Sequence, residues 1–284
     1  MRAAPFDPLF FKRDPLFWPI ARAASAFSDF ASFPPVAEYG ARVAHRAPVT
    51  FREQPKKPRR RRRAPVGARD LYDGRIVCEG WVPTRPGSWH DFLNMLVWAA
   101  FPEAKWQVHA RQYSAHVARI EGTVRALPNA RTREQDALAL LDEGGVVLLC
   151  KRGMLGAVRG AFAERRDGDV RALFDRGDAR AVVFGHAVYE ELVHGRDGGW
   201  CAGCFFEVEE GALAAGEVAA SAGDVAASAG DVAAPAREDL SAIVGVADRC
   251  LAGLLAREGS LGSPAELSRV DVPLLREARS GDIH

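Results

Sequence analysis

Residues 81–105 read WVPTRPGSWHDFLNMLVWAAFPEAK. From Phe92 to Phe101 nearly every position is apolar, so the helix predicted here is buried on most of its sides. Ser88, followed three residues later by Asp91, fits a capping box at its start. Pro102 ends it, because the residue before a proline avoids helical backbone, and then opens a second helix as its first residue. His90, Asp91 and Asn94 fall at i, i+1 and i+4, forming one polar edge on a dry element. Polar groups in such surroundings are costly without partners, so this edge points to a site or to a buried hydrogen-bonded network.

In the second helix Trp106, Ala110, Tyr113 and Val117 make an apolar stripe, and Lys105, His109, Gln112 and His116 make a parallel polar one that reads as a solvated face. Further on, ALALL (137–141) and VVLLC (146–150) flank DEGG, a pattern that reads as a β-hairpin with Asp142 and Glu143 in its turn. Leu155–Phe162 reads as a helix, and RAVVFG (180–185) as a buried strand running into a helix that starts near His186. CFFEVEE (204–210) alternates like a strand, and an amphipathic helix from Leu240 to Ala256 precedes a mostly irregular tail.

The flanking parts are different in kind. Residues 1–51 are rich in Phe and Pro and read as short helices and extended pieces laid across the core, with one helix from Ile20 to Phe30. Residues 52–66 form a basic linker loop around PKKPRRRRRAP (55–65), which repels itself and carries no apolar spacing. After a central core over 67–208, the stretch 209–237 holds three tandem Ala-rich heptads (216–236). With Val as their one recurrent large apolar residue, they make a poor coiled-coil seam. Residues 238–284 supply the last helix and the tail. The expected fold is a single α+β domain with a small, mostly antiparallel sheet and helices packed around it; strands and helices alternate too irregularly for a doubly wound sheet.

Tyr72, the run VPTRPGSWHDFLN (82–94), Trp98, Phe101-Pro102, Lys105, Arg133, DALALLDEGG (136–145) and FGHAVYE (184–190) occur in an order and spacing that resemble a bacterial domain-of-unknown-function family, number 3025. The likeness covers about residues 70–195. The chain departs from that pattern at His109, where the family suggests Asn, at Ala139, where it suggests Thr, and throughout the tail. The resemblance implies a shared fold unit and candidate site, and no activity.

The candidate chemistry gathers His90, Asp91, Asn94, Lys105, Arg133, Asp136, Asp142, Glu143, His186 and Glu190. His186 and Glu190 lie one helical turn apart, so an imidazole and a carboxylate can meet one ion or proton. With His90 and Asp91 they form a mixed N/O set suited to a divalent metal such as zinc, manganese or iron. Asp136 or Glu143 is then placed to take a proton from a metal-activated water. Lys105 or Arg133 would offset charge on an anionic small molecule, making a hydrolase acting on a phosphorylated or nucleotide-like substrate one reading. The alternative is a non-enzymatic binding or scaffold protein in which these groups form a structural polar network.

Bulk properties narrow the field. Basic and acidic residues number 38 and 37, so no global charge draws the chain to nucleic acid or membrane, and a nucleic-acid contact is left to residues 55–65. No apolar run approaches the roughly 18 residues that span a bilayer, Asp7 and Pro8 interrupt any leader-like stretch, and the expected location is cytoplasmic. The five cysteines suggest no disulfide framework. WCAGC (200–204) runs into a strand instead of opening a helix, which is the wrong context for thiol redox chemistry. Phosphate-cradling GxxxxGK[ST], GxGxxG, HExxH and GxSxG motifs are absent.

Overall fold

A computed structural model describes residues 4–43, 49–54, 66–124, 130–213 and 240–277. The basic run and the heptads lie outside the described residues. The protein begins with turns at Phe10–Lys12 and Pro15–Phe17, then helices α1 (Trp18–Ser25) and α2 (Val36–Arg42). Strand β1 (Thr50–Glu53) pairs in parallel with β3 (Trp81–Thr84), and β2 (Val66–Gly67) pairs with β4 (Thr123–Val124). Between these strands run α3 (Tyr72–Glu79), α4 (Trp89–Ala100) and α5 (Pro102–Val117). The second half comprises α6 (Arg133–Gly144), β5 (Gly145–Lys151), α7 (Leu155–Ala163), α8 (Asp167–Asp175), β6 (Ala179–Val183) and α9 (His186–Val193). It continues with β7 (Trp200–Val208), α10 (Glu210–Leu213), α11 (Ser241–Leu255), β8 (Ser268–Asp271) and α12 (Val272–Glu277).

The architecture is α+β, and the main sheet is mixed, with parallel as well as antiparallel pairing. Its order is β6-β5-β7-β8. The long pairing, β5 with β7, is parallel, while β5–β6 and β7–β8 are antiparallel. The expected hairpin around DEGG is absent. ALALL belongs to helix α6, opened by a reciprocal capping box between Thr132 and Gln135, and β5 follows it with no intervening loop. Ala137, Leu138 and Leu141 are the buried positions, a helical spacing. The tail is more ordered than expected, since β8 forms an edge of the main sheet.

Helix α4 is the central element, with eight of its side chains buried, from Trp89 to Trp98. The N-terminal aromatics cover it: Phe6 and Phe10 pack on Trp89, Phe27 on Phe92, and Trp89 Nε1 donates to the Ala4 carbonyl at 3.0 Å. Phe17 stacks on Tyr189 of α9, so the same segment packs on both α4, which carries His90, and α9, which carries His186. The turn at Phe101-Pro102 sends α5 back beside α4, and Asp248 of α11 caps α5 by accepting from the backbone N–H groups of Glu103 and Ala104. The expected stripe on α5 is inverted: Lys105 and His109 are buried together with Ala104 and Val108, whereas Val117 is exposed. Among the described residues, no helix is long and apolar enough to cross a membrane.

Two glycines bring the chain segments of the site together. A Cβ at Gly145 would lie 2.4 Å from the Leu141 carbonyl oxygen, and one at Gly185 would lie 2.4 Å from Gly145 N. Gly185 lets the β6–α9 corner touch the α6–β5 corner, and Gly145 lets the chain leave α6 directly into β5. Phe184 and Gly185 both donate their N–H to the Gly145 carbonyl, at 2.9 and 2.8 Å.

Candidate functional site

The glycine contact sets the end of α6 against the start of α9, with the first turn of α4 facing both. His186 donates from Nδ1 to the Asp142 carbonyl at 2.9 Å. That bond leaves the lone pair on Nε2. His90 places its own Nδ1 3.0 Å from Glu190 Oε2, one turn along α9 from His186. The two remaining nitrogens, His90 Nε2 and His186 Nε2, then face each other at 3.1 Å, with the rings inclined at 74°. Glu143 Oε2 lies 3.4 Å from His186 Nε2, and one ligand atom each from His90, Glu143 and His186 falls within 4.8 Å of the others.

Two imidazole lone pairs do not sit face to face at this separation without a proton or a cation between them. The proton solution makes His90 an imidazolium that donates to both Glu190 and His186. The acidities agree with it: the hydrogen bond to Glu190 raises the His90 pKa and lowers that of Glu190. Burial, followed by the nearby Lys105 cation, pushes His186 down to about 3. A cation suits the two spacings at His186 Nε2, 3.1 Å to His90 and 3.4 Å to Glu143. Zinc bonds of roughly 2.0–2.1 Å at tetrahedral angles separate ligand atoms by about 3.3–3.4 Å, close to the spacings on either side of His186 Nε2. Each histidine already has its outer nitrogen held, by Glu190 or by the Asp142 carbonyl, as metal-binding imidazoles require.

Behind this group lies an ion pair. Lys105 is wholly buried and puts Nζ 2.5 Å from Asp142 Oδ1, with the Trp98 ring 5.7 Å away. Burial alone would raise the Asp142 pKa, but the Lys105 charge and then His186 outweigh it and hold the carboxyl well below its usual range. Glu143 moves the other way, raised by burial and then by the charge of Asp142.

The remaining sequence candidates lie elsewhere. Asp91 turns to Arg85, accepting from its backbone N–H at 2.5 Å and from its guanidinium at 2.8 and 2.9 Å. Only the Ser88 half of the expected capping box forms. Arg133 and Asp136 are exposed in the first turn of α6, ten and seven residues before Glu143. At 1.5 Å per residue that is about 15 and 10 Å along the helix. Three nearby residues were outside the candidate set: Arg85, Tyr72, whose hydroxyl accepts from Asn94 Nδ2 at 3.2 Å, and Asp73, which accepts from His109 Nδ1 at 2.8 Å. These partners come from α3, or from the turn before α4, and have no local spacing that pairs them with the histidines. Cys201 and Cys204 are buried in β7, and desolvation raises each thiol pKa to about 12. They stay protonated and unreactive.

In comparisons with known proteins, a family model described as "Protein of unknown function (DUF3025)" matches residues 61–248. No curated protein and no solved structure matches the chain.

Proposed function

The chain belongs to the protein family of unknown function DUF3025, whose model spans every residue of the site, and we propose that this site binds one divalent metal and uses it for hydrolysis. His90 Nε2, His186 Nε2 and the Glu143 carboxylate are the ligands, leaving a fourth position for water or substrate. The single observation behind this reading is the facing pair of Nε2 atoms at 3.1 Å, each on a ring whose other nitrogen is already held. Two imidazoles and a carboxylate favour zinc, with manganese or iron as alternatives. A metal held by three protein ligands lowers the pKa of its water to near 7 and polarises an ester or phosphoryl oxygen.

The roles of this chain's residues follow from their placement. Glu190 and the Asp142 carbonyl orient the histidines. Lys105 acts through Asp142, because it is buried and already paired. Arg85 is the exposed cation at the rim, suited to an anionic group on a phosphorylated or nucleotide-like substrate. Chelator-treated protein tests the proposal: added zinc or manganese should raise its melting temperature and restore hydrolysis of a phosphodiester such as bis(p-nitrophenyl) phosphate. Glu143→Gln should weaken both effects. Metal that neither stabilises the protein nor supports hydrolysis rejects it.

A second reading rests on the proton arrangement. An imidazolium at His90 satisfies Glu190 and His186 without a metal, so the group also works as a structural network in a binding or scaffold protein. In that case His186→Ala lowers the melting point strongly and no divalent ion raises it.

A further inference from the structure

Three buried side-chain atoms on the α4–α5 face have no hydrogen-bond partner among the described residues: Asn94 Oδ1, Trp98 Nε1 and His109 Nε2. They share one neighbourhood. Asn94 and Trp98 are one turn apart on α4, and the Trp98 indole lies nearly parallel to the His109 ring, at 11° with centroids 5.4 Å apart. Their other polar atoms are occupied, since Asn94 Nδ2 donates to the Tyr72 hydroxyl and His109 Nδ1 meets Asp73. In the tautomer that donates to Asp73, His109 Nε2 is an acceptor. Asn94 Oδ1 is a second acceptor, and Trp98 Nε1–H can only donate.

Two acceptors and one donor left bare in a dry place match a group that carries N–H beside C=O. We infer that Asn94, Trp98 and His109 form a recognition subsite for such an amide edge on the molecule bound at the neighbouring His90–Glu143–His186 site. The inference rests on the metal-site reading for what that molecule is, but not for the subsite's own chemistry. Asn94 lies one turn of α4 from His90, about 6 Å along the axis, and because all three atoms are buried, a molecule enters only if the α4–α5 face opens. Tyr72 forms the outer wall: it is 40% exposed, and its ring packs edge-on against His109 at 5.6 Å. An aliphatic carboxamide and a pyrimidine base both present this edge.

The test follows the Trp98 indole N–H in ¹H–¹⁵N spectra of the full chain, its signal assigned with Trp98→Phe. Acetamide and uracil are the probes, and acetate, which lacks the N–H, is the control. The subsite predicts that the Trp98 signal shifts saturably with acetamide, uracil or both, and not with acetate. A response to acetamide alone identifies an aliphatic amide, and one to uracil alone a nucleobase edge. Asn94→Leu should weaken the response about tenfold, the loss of one hydrogen bond, while the other indole signals stay in place. A Trp98 signal unmoved by both probes, or moved equally by acetate, overturns the subsite and leaves trapped water as the partner of these atoms. Metal uptake measured alongside the Trp98 response separates the two readings. An amide response in a wild-type protein that takes up no metal retires the hydrolase and keeps the subsite, and metal uptake with a silent Trp98 retires the subsite alone.

Discussion

The two histidines of the site have opposite acid–base behaviour although they touch. The His90 pKa is raised by Glu190 and the His186 pKa is lowered by burial, so in metal-free protein an NMR titration should show His90 still charged above its usual pKa of 6.5. His186 should remain neutral down to about pH 5; a His186 signal that titrates near 6.5 contradicts this. The signs carry over to stability. The His90–Glu190 contribution is present below pH 6.5 and fades as pH rises through the raised His90 pKa, and on the acid side it is lost as pH falls through the lowered Glu190 value. His186 works in reverse, because the unfolded chain takes up a proton below 6.5 that the folded chain refuses down to about 3, so stability falls with pH across that interval. Lys105 gives the second prediction at this scale. With its side chain wholly buried against Asp142, Lys105→Met leaves a carboxylate uncompensated and should cost about 3–5 kcal/mol in denaturant unfolding. A loss under about 1 kcal/mol would mean that the pair is solvated. The sequence marked His90 because an imidazole on a dry helix edge demands a partner, and His186 by its one-turn spacing from Glu190, while Glu143 and Lys105 joined the candidates from a turn and a polar stripe that both read as solvated. It could not tell which ring nitrogen meets which acceptor, and Asp91, assigned to the metal from its adjacency to His90, faces Arg85 because helical neighbours point about 100° apart.

At the scale of elements, α4, the β6–α9 corner and α11 were legible from apolar runs, caps and Pro102. The α6–β5 junction was not. DEGG resembles a hairpin turn in isolation, and the opposing signal was the Thr132/Gln135 capping box, which opens a helix that runs on through Asp142 and Glu143. The polar face of α5 was misjudged for a related reason: Lys105 and His109 look solvated until Asp142 and Asp73 arrive from α6 and α3. The glycines at the corner test this geometry. Gly185→Ala drives a methyl into Gly145 N and the Glu143 carbonyl, and should destabilise by about 1–3 kcal/mol while parting Glu143 from His186. Gly144→Ala, which meets no atom within 4 Å, should be neutral or stabilising by up to about 1 kcal/mol. Equal effects of the two substitutions in chemical denaturation would mean that the corner is not tightly packed.

For the whole molecule, the buried apolar cluster runs from Phe10 to Leu275, and the N-terminal aromatics and the main sheet hold α4 and α9 in place from opposite ends of the chain. That arrangement keeps the candidate donor atoms of His90, Glu143 and His186, from three elements, within 4.8 Å of one another, and the proposed metal would draw them closer, to no more than about 4.1 Å apart. Elemental analysis of protein purified without a histidine tag tests this most directly. The account predicts close to one equivalent of zinc, manganese or iron per chain, falling severalfold in Glu143→Gln. Metal below about a tenth of an equivalent, with none retained after incubation with zinc and desalting, would contradict it.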